Sequence, residues 1–460
     1  MMRALFLIVA AVLLPLPVAG QTLKPTERGC AWQHGDEYVR FDRGKWSAGI
    51  EGKGEFSWHM FFWHDQWIYE TLPGGKIEQS PTLQDDGSLV MKGTFSARDG
   101  SPPVKYVHRI APTDEGLRVR CELQKTAALK LTRGVFLHVS GSRDALEGSN
   151  RVWFAPSAHG TLSTAPSAAA DRVLLELEGR RSLCFGLPGY RQAEHEGGTR
   201  SYMFRINLLP GDFDVGETAV AEYTVSFAEM PDRFPGQIEP ARRPLAIRSV
   251  SPESARVPQY ERLELQVDLD ATYDNPFDPD DVRLDAVFTA PSGRKLVVPG
   301  FYMVEQRREV AEQAEVMVPQ LQAGWRIRFA PLEVGQYRWE LRLRDRSGQI
   351  TGGEGALECI AGKQPGFVRT SKIDPHYLAF DNGEGYFAVG HNLPIYHTTG
   401  QLGDEAMRKF AAAGENFNRW WMSSSGFGIE WTDRLGWYRQ DVAARIDLSL
   451  DLARELGLYY

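Results

Sequence analysis

The feature that most constrains this chain is a rhythm. From about Thr22 to Met230, short stretches of alternating apolar and polar residues recur between clusters of Gly, Asp and Ser. Examples are SLVMKGTFSA (88–97), VKYVHRI (104–110), LRVRCEL (117–123), RGVFLHVSG (133–141), RVLLELEG (172–179), RSYMFRINLL (200–209) and AVAEYTVSFAEM (219–230). A period of two sends successive side chains to opposite faces of a strand, so each stretch has one face to bury. Amphipathic helical periodicity is nearly absent here. A long series of such strands covers its apolar faces by stacking two sheets, which predicts an antiparallel β-sandwich over 22–230.

The stretch PDRFPGQIEPARRPLA (231–246) is rich in proline and charge and reads as a linker. A second all-β unit is expected over 247–360. In YRWELRLRD, alternation puts Tyr337, Trp339, Leu341 and Leu343 on one face, and Pro291-Ser292-Gly293 and Val334-Gly335 mark turns. About a hundred residues of such strands suggest an immunoglobulin-like sandwich. After AGKQPGF (361–367) the texture changes. FAVGHN (387–392) and NFNRWWM (416–422) read as strands, and LYY (458–460) as the start of a third. GDEAMRKFAAAGEN (403–416) and YRQDVAARIDLSLDLARELG (438–457) read as helices. The second has Val442, Ile446, Leu448, Leu452 and Leu456 on its apolar face and Gly457 as C-cap. This order predicts a parallel sheet. The fold class expected is therefore two all-β sandwiches followed by the first βα units of an incomplete (β/α)8 barrel, since a whole barrel needs roughly 250 residues.

Composition narrows the function. The 460 residues are 42% hydrophobic and 24% charged, which is globular. The net charge of -8, without a basic cluster, argues against a nucleic-acid partner. MMRALFLIVAAVLLPLPVAG carries one arginine, a short apolar run and a small-residue end, which reads as a secretory leader cleaved after Gly20. The run is too short to span a bilayer, and Pro15 and Pro17 break it. A periplasmic or secreted protein with no membrane contact after cleavage is expected. Cys30, Cys121, Cys184 and Cys359 are scattered, without metal-ligand spacing, so both disulfides and buried free thiols are open. The 12 Trp, 16 Tyr and 23 Phe suit either a packed core or sugar binding, where pyranose C–H faces pack on aromatic rings.

Two runs in the middle unit carry a resemblance. TYDNPFDPDDVRLDAVFTAPSGR and GWRIRFAPLEVGQYRWELRLRD resemble the DUF5060 family, a β-sandwich that precedes glycoside hydrolase barrels in secreted bacterial proteins. The segment with VGHN, FNRWWMSSSGFGIEW and GWYRQDVAARIDLSLDLARELGLYY resembles the opening of those barrels. The resemblance covers roughly 247–460. It implies hydrolysis of a poly- or oligosaccharide by two carboxylates, which in retaining enzymes stand about 5–5.5 Å apart. Those glutamates lie at the ends of the fourth and seventh strands of such barrels. They have no counterpart here, so the chain is expected to be a fragment without its catalytic residues. A non-catalytic carbohydrate-binding protein and a structural surface protein are the alternatives.

The resemblance implies a sugar site at the C-terminal ends of the first strands, built from Arg419, Trp421, His391, Asn392 and Ser423. Arg419 and Trp421 share parity and one face. Glu430 and Asp433 fall in the following loop, where acids are usually solvated. In FSWHMFFWHDQWIYE (56–70) the aromatic density reads as core or as a sugar platform. His59 and His64 are five apart, and a strand sends them to opposite faces, so a shared metal is not expected. FDPDD (277–281) reads as turn chemistry, not a calcium loop. No cofactor is expected.

Overall fold

The computed structural model describes residues 22–64, 69–71, 76–95, 104–164, 167–196, 198–311, 314–392, 400–420, 422, 427–430 and 435–460. The leader-like start and the side chains of Trp421, Ser423 and Asp433 lie outside them. The chain divides into two compact units at Asp232/Arg233.

In the N-terminal unit the alternating stretches become antiparallel strands. Gly29–His34, Glu37–Asp42, Lys45–Ile50 and Glu55–His64 form a meander. Glu55–His64 then pairs with Leu131–Ser142, and that strand with Ser201–Leu209. A second set of neighbours runs Leu89–Phe95, Val104–Pro112, Gly116–Lys125 and Thr218–Glu229. The long strand Arg181–Glu196 joins the two sets. Its first half pairs with Thr218–Glu229 and its last residues with Ser201–Leu209.

The Glu55–His64 strand shows how alternation builds this core. Phe56, Trp58, Met60 and Phe62 are buried in it. Trp46 stacks on Trp58 at 5.8 Å between centroids, and the Trp58 indole N–H donates to the Tyr223 hydroxyl at 3.1 Å. Such a partner offsets the cost of burying the polar edge of a Trp. All four cysteines are free and buried.

In the C-terminal unit two layers form a sandwich, antiparallel except where Arg256–Pro258 pairs parallel with Gly348–Ile360. One is Ala241–Pro252, Leu263–Tyr273, Ala314–Phe329 and Phe301–Ala311. The other holds Arg256–Pro258, Gly348–Ile360, Gly335–Asp345, Val282–Thr289 and Lys295–Pro299. Ala241–Pro252 begins inside the stretch read as a linker. Tyr337, Trp339, Leu341 and Leu343 are buried together between the layers, as their alternation requires.

The expected fold class needs correction at its barrel. Among the described residues strands make up 60% and helix 7%, in two helices, and no βα barrel units are seen there. The helices are α1, Gly400–Ala412, and α2, Gln440–Leu456, which closes on Gly457 at φ 71°. Among the described residues around them are short strands, Gly390–Asn392 beside Phe417–Arg419, with an isolated bridge from Phe417 to Tyr459. The physical reason lies in the buried face of α2. Its buried positions are Arg445, Ser449, Leu452 and Ala453; of the expected face of Val442, Ile446, Leu448, Leu452 and Leu456, Leu452 alone is among them. An arginine can be buried only against counter-charge. Arg445 finds Glu315 of the sandwich strand Ala314–Phe329 and Asp404 of α1, so the helix is held on a β-sandwich.

Candidate functional site

The polar side chains with the most chemistry lie on the other face of the N-terminal strands that build the core. On Glu55–His64 the residues between the core positions are Ser57, His59 and Phe61. Antiparallel register places His59 opposite His138, His138 opposite Arg205, and Arg205 opposite Glu194. Lys45 continues the row beyond His59. The flanking rows add Ser57 opposite Ser140 and Phe61 opposite Phe136. Directly opposite residues of antiparallel strands are close enough to interact, so this alignment makes a contiguous surface.

The contacts bear this out. The His59 and His138 rings meet edge to face at 5.3 Å between centroids. His138 Nε2 lies 3.7 Å from Glu196 Oε2. Arg205 pairs through Nε with Glu196 at 2.6 Å and through Nη2 with Glu194 at 3.0 Å. The Ser57 and Ser140 hydroxyls are 3.2 Å apart. Phe61 stacks on Phe136 at 5.5 Å and presents its ring edge-to-face to His138 at 5.8 Å.

Both imidazoles are held neutral. Burial, with smaller pushes from His138 and Lys45, lowers the His59 pKa to about 4. Burial also lowers that of His138, against Glu196, which raises it, while Arg205 lowers it further. A neutral imidazole is a donor at one nitrogen and an acceptor at the other. The side chains of His138, Glu194 and Glu196 keep 26%, 30% and 27% of their exposure, so the row is reachable from solvent. Its groups can bind a polyhydroxylated ligand and pass a proton to or from it. Among the described residues there is no group of three or more His, Cys, Asp or Glu that could hold a metal ion.

The sequence reading missed this row. It compared His59 with His64 along one strand, whereas the relevant partner is His138 on the neighbouring strand. The available signal was parity. In RGVFLHVSG and RSYMFRINLL, His138 and Arg205 sit among core residues but on the opposite parity to Leu137, Val139, Phe204 and Ile206.

The residues that were expected to bind sugar lie in the C-terminal unit. Parallel pairing sets His391 beside Asn418 and Asn392 beside Arg419. Asn392 and Arg419 are exposed, and Glu430 is half-buried. Trp421 and Ser423 fall outside the described residues. Trp420 packs against Phe427 and Tyr460 instead. A cavity of about 310 Å³ opens there, lined by Asn418, Arg419, Trp420, Phe427 and Tyr460 among others. The Asn418 Nδ2 donates to the Tyr460 hydroxyl at 3.2 Å. Asn418 Oδ1 and Trp420 Nε1 are buried without a hydrogen-bond partner. In the FDPDD stretch, Asp281 accepts from the backbone N–H groups of Asp274 and Asn275, which is the turn chemistry expected. No described helix is long and apolar enough to cross a membrane.

No curated protein is similar to the chain. Among solved structures, a "putative glycoside hydrolase" of Bacteroides vulgatus is 20% identical over 45% of this chain, with a TM-score of 0.32. The match spans only 40% of that protein. A "putative aldose 1-epimerase" of Escherichia coli is 11% identical over 46% of this chain and all of its own length, with a TM-score of 0.29. A galactose mutarotase-like protein of Lactobacillus casei is 9% identical over 45% of this chain and all of its own, also at 0.29. These are distant likenesses. Residues 256–344, the core of the C-terminal sandwich, match DUF5060, a domain of unknown function.

Proposed function

We propose that the N-terminal unit is a carbohydrate site, with the sugar lying across the row of His59, His138, Arg205, Glu194 and Glu196. The observation that carries this is the pair of neutral, touching imidazoles beside an arginine held by two carboxylates. Sugar hydroxyls need partners that both donate and accept, and His59, His138, Ser57 and Ser140 provide them. The Arg205 cluster supplies charge-assisted hydrogen bonds, the strong kind.

The reaction best suited to these groups is proton exchange at sugar oxygens. Both glutamates are engaged by Arg205, so the imidazoles are the groups with a proton to give or take. Hydrolysis by two carboxylates is the finer reading that the DUF5060 resemblance supports, and it asks for a carboxylate free to protonate the leaving oxygen. Export, read from the leader-like start, fits a protein that meets polysaccharide outside the cytoplasm.

A second sugar contact is favoured by the cavity at Asn418. A hydroxyl placed there would donate to Asn418 Oδ1 and accept from Trp420 Nε1, with Arg419 also lining the cavity. Isothermal titration with a panel of mono- and oligosaccharides tests the main site. Wild type binds at least one of them, and His59→Ala and His138→Ala each weaken that binding tenfold or more. A panel without any ligand, or variants that bind as wild type does, overturns the reading.

A further inference from the structure

We infer that the DUF5060 sandwich is an intramolecular docking platform, whose partner is the chain's own helices α1 and α2 with the described residues that flank them. The segment is poorly equipped to hold itself. Its buried core is Met407, Leu452, Ala453 and Leu458, against the large sandwich cluster built around Trp325, Phe329, Tyr337 and Trp339. Isolated helices of its length are marginal in water without a packed face.

What it lacks internally, the sandwich supplies by charge. Arg308 pairs with Glu315 at 2.7 Å and Asp404 at 2.8 Å, and Arg445 pairs with the same two acids at 2.7 and 2.6 Å. The result is a closed four-membered ring with no net charge. Its members keep between 6% and 27% of their side-chain exposure. Outside the ring, Arg328 pairs with Asp447, Arg262 with Asp451, and Glu261 with Arg454. The Val304 N–H donates to Gln440 Oε1 at 2.8 Å, and Asn275 Nδ2 to the Gly436 carbonyl at 2.8 Å. Phe277, from the NPFDPD run, packs edge-on against Trp437 and at a tilt against Tyr438.

Every sandwich residue in these contacts falls inside 256–344, the stretch that matches the family. The surface is charge-complementary at several spaced points, which fixes one register of one partner. Removing a single member of a buried ion cluster leaves an uncompensated charge, whereas replacing the whole cluster by apolar groups of similar size is often neutral. That asymmetry separates docking by the ring from mere proximity.

Hydrogen–deuterium exchange on the full chain tests this. In Arg445→Met, amides of α1 and α2 are expected to exchange on the order of 100-fold faster, while the strand Gly335–Asp345 keeps its protection. The quadruple variant Arg308→Met, Glu315→Leu, Asp404→Leu, Arg445→Met is expected to recover most of the helix protection. Asp447→Asn, at a half-exposed position, gives a smaller acceleration in α2 and serves if Arg445→Met does not fold. Helices that stay protected in all single variants, or a sandwich that opens in step with them, overturn the inference.

Discussion

The two units each carry a network of arginines and acids, and the networks differ in what they leave open. In the C-terminal unit, Arg308, Glu315, Asp404 and Arg445 close on one another, and the charges balance. In the N-terminal unit, Arg205 satisfies Glu194 and Glu196, but the chain of contacts runs on to two neutral imidazoles and stops at solvent. A closed, charge-balanced ring has nothing to offer a ligand and serves packing. An open row that ends in neutral groups, able to donate and accept, retains unsatisfied capacity at an accessible surface. Perturbed titratable groups in such a place are the usual mark of a site.

The sharpest way to break this contrast uses neighbours on one strand. Trp58 faces the core and His59 the row. Trp58→Ala is expected to cost about 3–5 kcal/mol of stability. His59→Ala should cost well under that and lose sugar binding instead. Chemical denaturation together with titration checks both, and a stable Trp58→Ala or an unfolded His59→Ala would dissolve the distinction. The next comparison sets Arg445→Met against Arg205→Met. Breaking the closed ring is expected to cost about 3–5 kcal/mol. The Arg205 pairs, with Arg205 at 13% and its acids at 27–30% side-chain exposure, should cost less, about 1–3 kcal/mol, with the loss appearing mainly in ligand affinity.

A third prediction concerns acid. His108 is fully buried in the N-terminal core, both ring nitrogens lack a partner, and burial lowers its pKa to about 4. The unfolded chain takes up a proton near pH 6.5, the folded one only near 4, so the unfolded state binds more protons in between. Stability is then full above about pH 6.5 and falls as pH drops toward 4. His108→Phe should flatten that slope, measured as the shift in denaturation midpoint between pH 7 and pH 5. The smallest effect is expected at the C-terminal cavity, where Trp420→Phe removes one donor and should weaken any second sugar contact a few-fold, without touching the first.

Much of the fold was legible from alternation alone. Period two in YRWELRLRD or LRVRCEL dictates which side chains are buried whatever the topology, and α2 announced its end with Gly457. The barrel was not there to be read. A helix–strand order says that elements alternate, but not whether the strands are long enough to make a sheet or what covers the helices. Arg445 was the informative residue: an arginine among the buried positions of α2 demands acids nearby, and these came from Glu315, on the sandwich, and Asp404, on α1. The site in the N-terminal unit was hidden for a related reason. His59, His138, Arg205 and Glu194 are scattered through the chain, and only strand register lines them up.

The central claim is tested most directly by following the His59 and His138 imidazole signals by NMR at pH 7 while a binding sugar from the titration panel is added. Both signals should move together along one saturating curve, at shifts typical of neutral rings. Signals that stay fixed while the sugar binds, or rings found protonated at pH 7, would contradict a carbohydrate site built on this row.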